Sequence, residues 1–343
     1  MHLLRFGRTS LGLAAVALAA GCASDPVLAG ADGTSATTLS HVAPSFLTTS
    51  TTVNFENPPY VVGTINGQDD WLSTGAAGSG CATYDHLVVS NTYGYTGFGT
   101  QSLRMSNAVT SGCFGDQTFS KRVANPAGDA GADFGTPPWS TGTLQNHFEA
   151  QWDVASTVPS AEQVGLSVVA SPDRGDGSRM SWVQMTDTPG GLDVNFYDVQ
   201  GNTNPANFVE SNVATALNRT VPHTIKITMD FVDGASNDVV KVYVDGVLKH
   251  TGTSWENYYR FDSEAAPNGP RIVNRMLFRT GGTAFPANAG KGFLIDNLSI
   301  ATSSPVGPPT AKSQCTNDGW QTFDTPRTFK NQGDCVSYVS NGK

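Results

Sequence analysis

The chain has 343 residues, with 20 Lys and Arg against 29 Asp and Glu, a formal charge of −9 at pH 7. So acidic a protein is a poor partner for nucleic acid or an anionic membrane surface. It also argues against a strongly anionic polysaccharide, unless basic residues are gathered in one groove. With 37 Gly and 19 Pro, the composition suits many short strands joined by tight turns.

The first residues have the three parts of a signal peptide. Arg5 and Arg8 supply charge, Leu11 to Ala20 form an apolar stretch, and small residues lead into Cys22. The apolar stretch is too short to span a bilayer. Leu18-Ala19-Ala20-Gly21-Cys22 resembles the lipobox of bacterial lipoproteins, although Ala19 stands where that family prefers leucine. The resemblance implies that Cys22 is lipidated and becomes the first residue of a membrane-anchored, extracytoplasmic protein. The other reading is an ordinary signal peptide, cut at a nearby Ala-x-Ala site, and a secreted product. Cleavage before Cys22 removes Arg5 and Arg8 and no acid, which leaves a charge of −11. Of the five cysteines, a lipidated Cys22 leaves Cys81, Cys113, Cys315 and Cys335, which pair without a leftover thiol. Spacing favours Cys81–Cys113 and Cys315–Cys335, and export makes disulfides the expectation. No Cys/His spacing of a zinc site competes with them.

Residues 23–50 are rich in Ala, Ser and Thr without a sustained period and read as a flexible tether. Residues 303–311, containing Ser304-Pro305-Val306-Gly307-Pro308-Pro309, read as a stiff linker. The body is therefore 51–302, followed by a short tail, 312–343. Period-two alternation marks strands over His147–Val154, Val164–Ala170, Arg179–Thr186, Leu192–Val199, Thr224–Phe231, Val239–Val244, Arg275–Thr280 and Phe293–Ile300. Pro189-Gly190-Gly191, Asp233-Gly234 and Asp245-Gly246 supply the turns. The fold class this predicts is all-β, an antiparallel β-sandwich with a cysteine-closed C-terminal appendage.

Ile225, Ile227, Met229 and Phe231 point one way along their strand, and Val239–Val247 reads as a hairpin around Asp245-Gly246. That hairpin resembles those of laminin-G-like and other concanavalin A-like sandwiches, where an Asp-Gly turn joins neighbouring strands. The opening Val53-Asn54-Phe55-Glu56 and closing Ile295-Asp296-Asn297-Leu298-Ser299-Ile300 look like the first and last strands of secreted carbohydrate-binding sandwiches and glucanases. The resemblance implies a concanavalin A-like jelly roll whose partner is a polysaccharide or glycoconjugate. It also implies that Glu56 and Asp296 help to hold a structural calcium, with backbone oxygens completing the shell; no other cofactor is expected. The tail, from Cys315 through Trp320 and Phe329 to Cys335, looks like a small cysteine-closed module found at the ends of other exported bacterial proteins.

On the strand 144–153, Leu144, Asn146, Phe148, Ala150 and Trp152 share one face; Gln145, His147, Glu149, Gln151 and Asp153 share the other. Glu149 and Asp153 resemble the outer acids of the Glu-x-Asp-x-Glu strand of laminarinase-like glycosidases. Gln151 and Asp153 depart from that pattern at two of its three positions, which favours a solvated strand face. A lyase acting on a uronate needs a base and groups that neutralise a carboxylate. His147, Gln151, Arg275, Arg279 and Tyr258 or Tyr259 are of the right types and resemble the inventory of alginate lyases, whose strand motifs are absent. Pyranose rings stack on aromatic side chains, which brings forward Trp182 and the run Trp255, Tyr258, Tyr259 with Arg260. The same rings equally suit plugs at an end of the sandwich, as do Trp71 and Trp139. Arg174-Gly175-Asp176 spells an adhesion tripeptide in what reads as an ordinary turn. The expected function is glycan binding at the cell surface. The alternatives are a polysaccharide lyase or glycoside hydrolase in the same groove, and a structural or adhesive protein without a small ligand.

Overall fold

The structure, a computed structural model, describes residues 47–74, 84–110, 116–129, 131–132, 142–265, 271–281 and 283–304. In the tail it describes 309, 312–316, 320, 323, 327 and 329–341. The leader, Cys22, Cys81, Cys113 and Trp139 lie outside these residues.

The body opens with β1 (Leu47–Val53), β2 (Gly63–Thr64), β3 (Leu72–Thr74), β4 (Tyr84–Ser90), β5 (Gln101–Thr110) and β6 (Gln117–Phe119). It continues with β7 (Ala127–Gly128), β8 (His147–Ser156), β9 (Ser167–Asp173), β10 (Trp182–Thr188), β11 (Gly191–Gln200) and β12 (Asn207–Leu217). β13 (His223–Asp230), β14 (Val239–Val244), β15 (Val247–Gly252), the helix α1 (Glu256–Phe261), β16 (Ile272–Val273), β17 (Arg275–Thr280) and β18 (Phe293–Ser304) complete it. One nine-stranded sheet runs β15-β14-β13-β8-β18-β5-β4-β2, with β1 also paired to β18. The other, of seven strands, runs β12-β11-β10-β9-β17-β6-β3. The ladders within both sheets are antiparallel, so the fold is the all-β jelly-roll sandwich that the alternation predicts.

The alternation buries one row of each strand. Ile225, Ile227 and Met229 on β13 and Val240, Val242 and Val244 on β14 all lie in the core. Asp245 and Gly246 both have positive φ, 51° and 76°, the geometry of the two-residue turn that matches strand twist. At the centre Trp152 of β8 meets Phe278 of β17 edge-on at 6.0 Å, and Trp71 stacks on Phe278 at 6.2 Å. Phe55 packs on Trp71 at 5.4 Å and on Tyr60 at 5.3 Å. This aromatic column joins the two sheets.

Several boundaries differ from the sequence reading, and β18 runs on to Ser304, inside the stretch read as linker. β1 begins at Leu47, inside the stretch read as tether, because its backbone pairs with β18, Leu47 opposite Ser304. β9 and β10 each start three residues late. The Leu166 N–H donates to the Gln163 carbonyl in a turn, and residues 174–181 form a long connection. β12 is an edge strand with exposed polar residues and no clean alternation, so its pairing with β11 supplies what its sequence does not.

In the tail, Cys315 and Cys335 form the expected disulfide, and Phe323 and Phe329 pack with them beside α2 (Gln332–Asn341). Closing a loop of that span is worth about 3 kcal/mol in the chain-entropy account.

Trp152→Ala opens a large cavity at the contact between the sheets and is expected to cost about 3–5 kcal/mol. Denaturant unfolding measures it; a loss under about 1 kcal/mol would show that the sheets do not depend on this indole.

Candidate functional site

Since Trp152 and Phe278 both point inward, the polar rows beside them point outward on opposite sides of the sandwich. His147, Glu149, Gln151 and Asp153 lie on the outer face of the nine-stranded sheet. Arg275, Arg279 and Trp182 lie on the outer face of the seven-stranded sheet. The single groove assembled from the sequence is thus two separate surfaces.

The first surface is satisfied by its own neighbours. Glu149 pairs with Lys226 at 2.5 Å, and His147 Nδ1 lies 2.6 Å from Asp230 Oδ1. Asp153 accepts from Thr224 Oγ1 at 2.6 Å and from Asn297 Nδ2 at 2.8 Å. The pair Glu149 and Asp153 therefore has the bonding of a solvated sheet face.

At the edge of that face, Glu56 Oε1 accepts the backbone N–H of Thr100 at 2.6 Å and of Gln101 at 3.2 Å, while Oε2 accepts the Thr100 hydroxyl. Asp296 accepts from Ser102 Oγ at 2.9 Å and from the Asn297 N–H at 2.7 Å. These two carboxylates spend their oxygens on protein donors, which fits a calcium shell poorly. Among the described residues no three His, Cys, Asp or Glu side chains are grouped to hold a metal ion.

The second surface has an open half and a roofed half. In the open half Gln184 of β10 faces Val169 on one side and Asn195 of β11 on the other, and Asn195 faces Asn212 of β12. Gln184 Nε2 donates to Ser167 Oγ at 2.6 Å, Asn212 Nδ2 to Asn195 Oδ1 at 2.8 Å, and Asn195 Nδ2 to Glu210 Oε1 at 2.6 Å. The result is a polar ladder across four strands, amides on β10, β11 and β12 and the Ser167 hydroxyl on β9, all at least partly exposed.

The roofed half covers β6, β17 and the end of β9. Phe119, Leu277, Arg275 and Arg279 point outward there yet are buried. The connection 174–181 folds back over them, and a Cβ at Gly177 would lie only 3.0 Å from Gln117 Oε1. Asp173 organises this connection: its Oδ1 accepts the backbone N–H of Gly175 at 2.5 Å, Asp176 at 3.1 Å and Gly177 at 3.3 Å. Arg174 pairs with Asp176, so the tripeptide is a closed turn. Arg179 descends from the connection toward Asp173, Tyr258 and Tyr259, and burial before all else lowers its pKa. Burial likewise lowers Arg279, to about 10.

The aromatic candidates form a wall at one end. Trp255 stacks on Trp182 at 5.8 Å, and the Arg179 guanidinium lies 5.6 Å from the Trp182 ring centre. Phe208 meets Trp255 at 4.8 Å and Tyr258 at 5.5 Å, and Tyr258 meets Tyr259 at 5.1 Å. The Trp255 indole N–H donates to the Tyr197 carbonyl at 2.7 Å. Most ring faces are thus turned to one another. Arg260 holds α1 in place, bonded to Glu256, Asp129 and the Gly234 carbonyl. His86 lies between the sheets, 2.7 Å from Thr118 Oγ1 and 3.3 Å from Thr280 Oγ1, and burial lowers its pKa to about 3.

The sequence reading passed over Gln184, Asn195, Asn212, Ser171, Asp173 and Arg179. The signal was present for the first two: amides alternate with Val183 and Met185 on β10 and with Val194 and Phe196 on β11.

No protein-family model and no curated protein matches the chain. Among solved structures, an alginate lyase is similar over 75% of this chain and 97% of that one, at 13% identity and a TM-score of 0.42. An endo-β-1,4-glucuronan lyase from the fungus Trichoderma reesei is similar over 71% and 91%, at 13% identity and 0.35. Basic winged bean lectin with Tn-antigen is similar over 75% and 99%, at 11% identity and 0.33. Likeness of this degree is one of strand layout and does not bear on activity.

Three buried carboxyls hold their protons unusually well. Burial is the first cause in each: Asp296 is raised to about 8, Asp238 to about 7 and Asp173 to about 6. The folded state thus keeps protons that the unfolded chain releases. Its advantage is complete below the ordinary value of 3.8 and is lost as pH rises through these raised values. Through these groups the melting temperature should fall from about pH 4 to about pH 8, and Asp296→Asn should flatten the upper part of that fall. Melting curves of both proteins across the range check this; identical slopes would show that Asp296 carries no such linkage.

Proposed function

We propose that this protein is an exported glycan-binding protein, anchored through Cys22, that receives a polysaccharide across the outer face of the seven-stranded sheet. The observation that carries this reading is the ladder of Ser167, Gln184, Asn195 and Asn212, at least partly exposed and spread over β9 to β12. Amides offer donors and acceptors side by side, which is what the hydroxyls of a sugar require. Four strands at the usual spacing give a track about 14 Å wide, longer than one ring. The wall of Trp182, Trp255 and Tyr258 bounds the track at one end.

A lyase on the same face is the second reading, and the gathering of Arg179, Arg275 and Arg279 is what favours it. The binding reading is preferred because these guanidinium groups lie among acids of the protein itself: Arg275 near Asp70 and Asp173, Arg279 near Asp116, Arg179 near Asp173. The described histidines, His86, His147, His223 and His250, all belong to the nine-stranded sheet, so none stands on this face as a base.

The test is to pass the mature chain over a broad panel of immobilised polysaccharides and read retention and product release together. Retention without product is expected. Gln184→Ala or Asn195→Ala should weaken it about tenfold, the scale of one lost hydrogen bond to a sugar hydroxyl. Glu149→Ala and Gln151→Ala should leave it unchanged. Unsaturated products would establish the lyase reading instead, and loss of binding in the Gln151 variant would move the site to the other sheet.

A further inference from the structure

The open half of the seven-stranded sheet is lined in rows. Trp182, Tyr197 and Glu210 stand side by side across β10, β11 and β12, and Gln184, Asn195 and Asn212 form the next row. Thr186 and Asp193 form a third, beyond the amides. Neighbouring rows are about 7 Å apart, two residues along a strand. Each of these side chains is at least partly exposed. Ser171 and Asp173, farther along β9, are buried and take no part.

Two of the exposed groups are carboxylates, and both are anchored on the face. Glu210 Oε1 accepts from Asn195 Nδ2 at 2.6 Å. The Tyr197 hydroxyl also bonds to Glu210; burial first, then the charge of Glu210 and this bond, raises the Tyr197 pKa. Asp193 Oδ1 accepts the Ala216 N–H at 2.8 Å. The amide row runs between these two acids. The strands offer no cation to offset them: β9, β10, β11 and β12 contain no Lys, Arg or His, and neither do the turns 189–190 and 201–206. Arg219, just past β12, is pinned by Asp187 at 2.8 Å and by the Thr188 and Gly191 carbonyls. Arg279 lies one strand beyond Val169, about 10 Å from Gln184, and is buried.

This arrangement sorts ligands by charge. A sugar hydroxyl can donate to Glu210 or Asp193 and exchange bonds with the amides. A uronate carboxylate only accepts, and seated over the amides it would lie about 7 Å from either acid. That is within the screening length of about 8 Å at physiological ionic strength, so the repulsion persists. We propose that this face is selective for neutral glycans and that Glu210, with Asp193 on the far side of the amides, turns uronate polymers away. This rests on the glycan-binding reading and names the substrate class of that surface.

Calorimetric titration of the mature chain with matched oligomers tests the selectivity: glucose against glucuronic acid, galactose against galacturonic acid, mannose against mannuronic acid. A neutral oligomer should bind, and its uronate twin should bind at least tenfold more weakly. Glu210→Gln keeps an acceptor for Asn195 and Tyr197, so the variant should melt where the native chain does. Its ratio of uronate to neutral affinity should rise at least fivefold at low salt, with the gain shrinking at high salt. Asp193→Asn should act in the same direction. A uronate twin that binds the native chain as tightly as its neutral partner would overturn the selectivity and leave the glycan reading standing. A neutral oligomer bound, with that ratio within twofold of native in both variants, would overturn the role of the two acids. If no oligomer binds, the glycan reading fails and the selectivity with it.

Discussion

The contact of Trp152 with Phe278 fixes the rest of the molecule, because it sets the phase of the central strand in each sheet. Along a regular stretch of strand, such as β8 from Glu149 to Asp153 or β17, side chains alternate between faces. Once Trp152 points inward, Glu149, Gln151 and Asp153 must point out through one sheet. Once Phe278 points inward, Arg275 and Arg279 must point out through the other. The aromatic column through Trp71, Phe55 and Tyr60 then holds the sheets at the separation that large rings demand.

Much of this was legible in the residues. The alternation of β8, β13, β14 and β17 gave both the strands and their buried rows, and Asp245-Gly246 gave a hairpin with the turn geometry found. Cys315 and Cys335 pair as their spacing indicates. What alternation cannot give is sheet membership, because the phase of a strand says nothing of which layer it joins. His147 and Arg275 were therefore grouped by chemical type, although the topology places them on opposite surfaces. The arrangement of the aromatic run from Trp255 to Tyr259 was hidden in a related way. Sequence shows that rings are near one another but not that they use their faces on each other, as Trp182 and Trp255 do. Ser171 and Asp173 gave no local signal at all, since their situation arises from β17 and from the fold-back of residues 174–181.

The electrostatics follow the same economy. The chain is strongly acidic, and many of its cations, buried or not, are paired with its own carboxylates. Lys121 sits on Asp69, Arg122 on Asp70, Arg104 on Asp85, Arg219 on Asp187, and Arg260 and Arg271 share Asp129. For the buried pairs of Arg104, Arg219, Arg260 and Arg271, removing charge from water is costly enough that the pair serves orientation more than stability. Arg260 shows this plainly, since its bonds to Glu256 and Asp129 fix the short helix that carries Tyr258 and Tyr259.

One feature of the topology has a temporal side. β18, the last strand of the body, lies between β8 and β5 and also carries β1. Until residues 293–304 have emerged, the nine-stranded sheet is two unjoined fragments, and its first strand has no partner. Contacts of such sequence separation form slowly. A chain built this way stays loose while its body is still being synthesised, and closes only when its final strand arrives.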